Sequence, residues 1–345
     1  MHMRPLFCLA SICLSTATLA APVSAQVVEM VGSRALGMGG AFVAVANDSS
    51  ATWWNPAGLA AGPFFDMALA RGIAEDSEAL PAWRERTSWF ALGTPPLGLG
   101  YYRFRITDIQ PFDPTGGADP DREDRRAGVP VRSLSASQFG VTLVQTLLPG
   151  VHTGTTLKYV RGTLHGSRED GLTPPAELID LGEALDDGDA EGRFDLDLGV
   201  LAVAGPVRLG GVVRNLREPE FGSPGAEASG IPALRMSRQV RVGAAFDPGS
   251  TGGLPLTVAL DADVREYDTT SGARRVVAIG GEHWFFDRRV GVRAGGRFNM
   301  VGAEDRAATA GVSVSLRSGM YIDGHVVRGG TTEEEGWGLA ARVSF

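Results

Sequence analysis

The chain has 345 residues, with 40 acidic and 32 basic side chains and a formal net charge of −8. No basic patch persists along it, which argues against a nucleic-acid partner. Both cysteines, Cys8 and Cys13, lie before residue 26, so the rest of the chain has no disulfide framework, thiol nucleophile or thiolate metal site.

Residues 1–25 read as a secretory signal. Arg4 supplies the positive n-region, Leu6 to Ala21 is apolar or small, and Val23-Ser24-Ala25 is a small-residue cleavage site before Gln26. The run is shorter than the roughly 20 apolar residues of a spanning helix. Three regions are expected: a signal over 1–25, a compact plug over 26–63 and a β-barrel over 64–345.

Val31 to Ala60 is rich in Gly and Ala, carries Trp53 and Trp54 side by side, and closes on Asn55-Pro56-Ala57-Gly58. It does not read as a strand. Gly37-Met38-Gly39-Gly40-Ala41 invites a nucleotide-loop reading, but that fingerprint needs a preceding strand, a following helix and a βαβ unit. Close backbone packing, which Gly permits, is the better reading. Asn47-Asp48-Ser49-Ser50 reads as a turn or helix cap, and Asn55-Pro56 as a tight turn.

From Phe65 onward the period is two. Phe194, Leu196, Leu198, Val200, Ala202 and Ala204 share one face, with Arg193, Asp195, Asp197 and Gly199 on the other. Fourteen such segments are predicted, near 65–71, 86–93, 97–107, 133–147, 151–164, 193–204, 206–217, 236–247, 255–267, 273–286, 289–300, 306–317, 320–328 and 337–345. Most exceed the 5–6 residues of an ordinary strand and match the roughly 9–11 of a tilted membrane-crossing strand.

Connections after even strands are mostly tiny, such as Leu148-Pro149-Gly150 and Ser318-Gly319. Those after odd strands are mostly long, although 268–272 and 301–305 are short. Short turns alternating with long loops are expected of outer-membrane barrels. The last segment alternates from Trp337 to a terminal Phe345, the kind of closing strand that barrel-assembly machinery recognises. In hydrocarbon a β-structure satisfies its backbone only by closing. The expected fold is therefore all-β, a transmembrane antiparallel barrel of about 14 strands with a small N-terminal plug (hatch). Its apolar face meets outer-membrane lipid. Its polar face, with Arg193, Asp195, Asp197, Arg241, Asp261, Asp263, Arg293 and Arg297, meets the lumen. Trp83, Trp89, Tyr101, Trp284, Phe285, Phe286, Tyr321 and Trp337 near strand ends suit an interfacial girdle, with core or loop packing the alternative for Trp83 and Trp284.

No catalytic residue, metal site or cofactor is expected. The four His after the signal, His152, His165, His283 and His325, form no HExxH pair. His165, Ser167 and Asp170 are the only local triad-like cluster and read as a solvated polar run. Two acidic runs, around Asp119–Asp124 and Asp180–Glu191, read as solvated external loops, with bridging to lipopolysaccharide by divalent cations the lesser alternative.

The order Arg34-Ala35-Leu36-Gly37-Met38-Gly39-Gly40-Ala41, Ala46-Asn47-Asp48, Trp54-Asn55-Pro56-Ala57-Gly58-Leu59 resembles the amino-terminal segment of the FadL-like superfamily of outer-membrane proteins. That superfamily includes fatty-acid and aromatic-hydrocarbon transporters and the PorV-like proteins of type IX secretion. The resemblance implies a fourteen-stranded barrel in the outer membrane of a Gram-negative cell, with a hatch in its lumen. Gly37, Met38, Gly39, Asn55, Pro56 and Ala57 are then the hatch and gating residues. The expected function is passive uptake of small hydrophobic compounds of the fatty-acid or hydrocarbon type. The alternative is a PorV-like component that binds secreted client proteins.

Overall fold

A computed structural model describes residues 31–77, 82–109, 128–184, 190–222, 234–269, 272–302, 305–330 and 334–345. The signal over 1–25 and the acidic run at Asp119–Asp124 lie outside these residues, as do Asp186, Asp187 and Asp189 of the second run.

Fourteen strands form one closed antiparallel ring. In chain order they are β1 (Asp66–Asp76), β2 (Trp83–Thr94), β3 (Leu97–Ile109), β4 (Val129–Leu148), β5 (Val151–Glu169), β6 (Glu191–Ala204) and β7 (Val207–Arg214). There follow β8 (Gln239–Phe246), β9 (Leu256–Asp263), β10 (Val276–Phe285), β11 (Val290–Asn299), β12 (Arg306–Arg317), β13 (Met320–Gly329) and β14 (Glu335–Ser344). Each strand pairs with its chain neighbour, and β1 pairs with β14 through registers such as Ala70↔Ala340. The closure runs to the carboxy terminus: Phe65 and Phe345 exchange backbone hydrogen bonds of 2.9 Å, and their rings stack at 5.3 Å. Among the described residues no strand of the ring has an unpaired edge, the condition hydrocarbon imposes on a β-structure. Among the described residues no helix is long and apolar enough to cross a membrane.

The two faces differ as the alternation demands. Leu157, Phe194, Leu198, Val200, Leu260, Ile279, Val326 and Leu339 are exposed on the outside. Asp195, Asp197, Asp261, Asp263, Arg293 and Arg297 are buried on the inside. A soluble sandwich shows the reverse, with apolar side chains inward. Arg193 departs from expectation. It shares the inward parity but lies exposed near the start of β6, paired with Glu191.

The aromatic girdle also needs correction. Tyr101, Phe285, Phe286 and Trp337 are exposed, but Trp89 and Trp284 are buried. Trp89 shares its parity with Glu85, Thr87 and Ala91, and Trp284 shares its parity with Gly280 and Glu282, so both point inward.

Short turns gather at one end of the barrel and long connections at the other. The connection after β9 is longer than expected, because the ladder leaves the wall after Asp263 and forms a separate ribbon, 267–269 with 272–274. After β5, a helix α1 (Pro175–Glu183) buries Leu178 and Ile179 over β3 and β4. Arg84 holds it through Asp180 at 2.6 Å. The lumen holds the stretch from Val31 to Gly62, folded as two short helical turns (Ser33–Gly37 and Ala51–Trp54) and a 3-10 turn (Pro56–Ala61).

Candidate functional site

The lumenal stretch reaches the wall where the wall has no side chains. Inward-facing glycines pair across neighbouring strands: Gly154↔Gly199 on β5 and β6, Gly210↔Gly243 on β7 and β8, Gly280↔Gly295 on β10 and β11, and Gly93↔Gly98 on β2 and β3. Each pair receives one point of the stretch. Asn55, Pro56 and Ala57 rest on the first, Val43 and Ala44 on the second, Met38 and Gly39 on the third, and Leu59 on the fourth. A Cβ at Gly210 would lie 2.6 Å from the Val43 carbonyl oxygen, and one at Gly98 the same distance from Leu59 Cδ1. At Gly210 backbone lies on backbone and excludes any larger residue, whereas at Gly98 the Leu59 side chain would have to shift.

Between the seats, polar groups of the wall fasten the stretch. Arg34 makes a two-pronged pair with Glu282 on β10, Nε and Nη2 each donating at 2.8 Å. Its Nη1 donates to Asn47 Oδ1 at 2.6 Å and lies 3.2 Å from Asp48 Oδ2. Glu282 also accepts from Arg293 Nε at 2.6 Å. Arg293 Nη2 donates to Ser313, which donates to Asp323. Arg342 joins Asp323 to Asp66, and Asp66 accepts from the Ser49 backbone N–H at 2.8 Å. The network thus leaves the stretch at Arg34, crosses β10 to β14 and β1, and returns at Ser49. On β9, Asp261 Oδ2 accepts from the N–H groups of Phe42 and Val43, both at 2.8 Å. Isolated charges at such depth carry a large desolvation cost, which these pairings offset.

Asn55 is fastened through its whole side-chain amide. Its Nδ2 donates to the carbonyls of Val43 at 2.8 Å and Val200 on β6 at 3.0 Å, and its Oδ1 accepts from Ala57 N–H at 3.2 Å. Pro56 then starts the 3-10 turn, where its missing N–H costs nothing. Trp54 Nε1 donates to the Val31 carbonyl at 2.9 Å. Trp53 lies between Tyr102, at 4.9 Å, and the Arg214 guanidinium, at 3.8 Å.

The six residues expected to form the hatch are all buried, but they do not form one cluster. Gly37, Met38 and Gly39 rest on β10 to β12, where Thr309 Oγ1 donates to the Gly37 carbonyl at 3.1 Å. Asn55, Pro56 and Ala57 rest on β5 and β6, well round the ring. They are two anchors of one bridge across the lumen. Sequence reasoning placed Asp261 and Arg293 on the lumenal face without their part in fastening the stretch, and it missed Glu282, Asp323, Arg342 and Asp66 and the pairing of the glycines. The signal available was inward parity: each sits on the polar face of its strand.

Away from the bridge, Lys158 Nζ is buried between Asp195 Oδ2 at 2.9 Å and Asp197 Oδ1 at 2.7 Å. It also donates to Asn215 Oδ1 at 2.8 Å, which ties the connection after β7 inward. Asp170, of the His165 cluster, accepts from Leu172 N–H as an ordinary turn contact. Among the described residues no group of three His, Cys, Asp or Glu side chains is placed to hold a metal ion.

Among solved structures, the chain is similar to a Pseudomonas aeruginosa FadL homologue, at 12% identity and a TM-score of 0.64, covering 93% of this chain and 100% of that one. It is similar to the Pseudomonas putida toluene transporter TodX, at 12% identity and 0.55, covering 94% and 99%. It is also similar to the CymD monoaromatic hydrocarbon channel, at 12% identity and 0.59, covering 91% and 97%. No curated protein matches the sequence. Residues 85–263, just over half of the chain, match the family model described as "F plasmid transfer operon, TraF, protein". The fold is that of the FadL-like barrels, and by sequence the chain belongs to the F plasmid transfer operon TraF protein family.

Proposed function

We propose that the protein is an outer-membrane channel for the passive uptake of small hydrophobic compounds of the fatty-acid or hydrocarbon type. In this reading Val31–Gly62 closes the lumen and shifts to open a path. The observation that carries it is how the stretch is held. It bridges the lumen on four glycine seats and a few hydrogen-bonded latches, its one covalent tie to the wall being the chain that runs on into β1, so it releases without unfolding the wall. Three similar barrels, the toluene transporter TodX, the hydrocarbon channel CymD and the FadL homologue, support uptake and do not speak for a secretion component. The family description names a plasmid-transfer operon and no transported compound. The apolar outer band supports a lipid partner, with lipopolysaccharide outermost.

The test is uptake. Cells lacking the protein should accumulate a labelled monoaromatic hydrocarbon or long-chain fatty acid more slowly than complemented cells. Equal rates for both compound types would remove the reading.

A further inference from the structure

On the outer face of β1 to β6 the apolar band ends along one register row. Leu69, Phe90, Tyr101, Phe139, Tyr159 and Phe194 pair in succession across these strands, and all six are exposed. Two residues nearer the loops, the next outward row is Arg71, Ser88, Arg103, Ser137, Arg161 and Gly192. Its three arginines are exposed, and no carboxylate stands in the row. Neighbouring strands lie about 4.8 Å apart, so successive arginines, two strands apart, stand roughly 10 Å from one another. The carboxylates of α1 serve groups nearer the loops, Asp180 at 2.6 Å from Arg84 and Glu183 at 2.9 Å from Arg86. Across the ring an outward arginine has an acid beside it: Arg328 of β13 meets Glu335 of β14 at 2.9 Å. Barrel strands tilt, so the row is inclined to the membrane. Arg71 lies midway along β1, whereas the row reaches the loop-side start of β6 at Gly192. An arginine on the lipid face is costly in hydrocarbon and cheap at the headgroups. The long Arg71 side chain reaches toward the headgroups, and an anion met there offsets the cost.

We propose that this row is a binding site for the phosphorylated sugar headgroup of one outer-leaflet lipopolysaccharide. Guanidinium forks pair with phosphate oxygens, and clustered arginines at a membrane surface draw anionic headgroups. The Ser88 and Ser137 hydroxyls, between the arginines, add neutral donors and acceptors for sugar oxygens. The acyl chains then lie against the aromatic row below. A headgroup with a phosphate at each end of a disaccharide engages two of the separated arginines at once, which the single phosphate of a phospholipid does not. The row stands on the loop side of the band, the side that faces outward in outer-membrane barrels. The inference deepens the lipid contact proposed above. It rests on the outer-membrane placement in that reading and not on uptake.

The experiment is native mass spectrometry of the mature protein in neutral detergent, titrated separately with diphosphoryl lipid A, with lipid A stripped of phosphate, and with phosphatidylglycerol. Wild type should form a saturable one-to-one adduct with diphosphoryl lipid A and bind the other two more weakly. The double variant Arg71→Gln, Arg161→Gln should weaken that adduct roughly tenfold or more, while Arg328→Gln, across the ring, should keep wild-type affinity. Heat-modifiable migration establishes that each variant is folded. Where the double variant is not, the phosphate dependence of wild type decides alone. Binding is read apart from uptake, so a chain that moves no hydrocarbon still passes or fails on its own. Absence of a saturable adduct from wild type overturns the proposal. Equal binding of dephosphorylated lipid A or phosphatidylglycerol does so too, as does wild-type affinity in the folded double variant.

Discussion

Arg34 of the lumenal stretch and Glu282 of β10, 248 positions apart in the chain, share a two-pronged ion pair with both contacts at 2.8 Å. Glu282 simultaneously accepts from Arg293. One carboxylate thus fastens the bridge to the wall and balances two buried guanidinium groups.

Removing that carboxylate leaves Arg34 with Asp48 and Asn47 alone and Arg293 with Ser313 and Asp323 alone. Breaking a buried pair from one side costs about 3–5 kcal/mol. Glu282→Ala should therefore lower the temperature at which the folded band converts to the unfolded one on a gel, and should raise conductance in planar bilayers. Arg34→Ala should raise conductance with a smaller loss of stability, because Glu282 keeps Arg293.

Asp261 tests a second latch. Truncation to Ala leaves the Phe42 and Val43 N–H groups without an acceptor, at about 1–3 kcal/mol each. Asp261→Ala should open the stretch to proteolysis between residues 41 and 46 in detergent. Asp261→Asn, which retains one carbonyl oxygen, should be cleaved more slowly than Asp261→Ala. Equal resistance of wild type and Asp261→Ala would show that this latch holds nothing.

Two adjacent glycines test the seats. A Cβ at Gly280 meets the Met38 backbone, whereas one at Gly281 meets only the Thr257 carbonyl oxygen at an ordinary 3.5 Å. Gly280→Ala should lift Met38 from its seat and raise conductance. Gly281→Ala, on the opposite face, should leave conductance at the wild-type value. A matched response from both would argue that the effect comes from strand stiffness and not from the seat.

Acid should loosen the bridge. Burial alone would raise the Asp48 carboxyl, but the Arg34 charge, aided by Arg342, holds it below the ordinary range. A carboxyl lowered in the folded state contributes stability that is fully present above its unfolded value of about 4 and is lost as pH falls through the folded value. Glu334, lowered by Arg297 against the effect of burial, acts in the same direction. Conductance should be constant from pH 7 to 5 and rise reversibly below 4. Asp48→Asn should show the raised conductance already at pH 7.

Much of the wall was legible because a strand has only two faces. Val200 and Leu198 against Asp197 and Gly199 fix inside from outside without any tertiary knowledge. Strand lengths and the alternation of short turns with long loops then pointed to a closed barrel. The ends were less legible: β4 and β5 run on to Val129 and Glu169, past the predicted limits, because their pairing continues to Val129↔Glu169. The misplaced Trp89 and Trp284 show that parity outranks nearness to a strand end. The latches were not legible. Arg34 meets Glu282 only once fourteen registers have set the ring, and no local pattern encodes that sum. The glycine seats lie between. Gly154, Gly199, Gly280 and Gly295 were visible as glycines in strands, but their pairing across strands needed the register.

The central claim is that the stretch closes the barrel, and single-channel recording on the chain lacking Gln26 to Ala60 tests it most directly. The variant should still insert as a heat-modifiable barrel, and its conductance should exceed that of the intact chain several-fold. A correctly inserted variant with unchanged conductance would contradict a lumen closed by the bridge from Arg34 to Asn55.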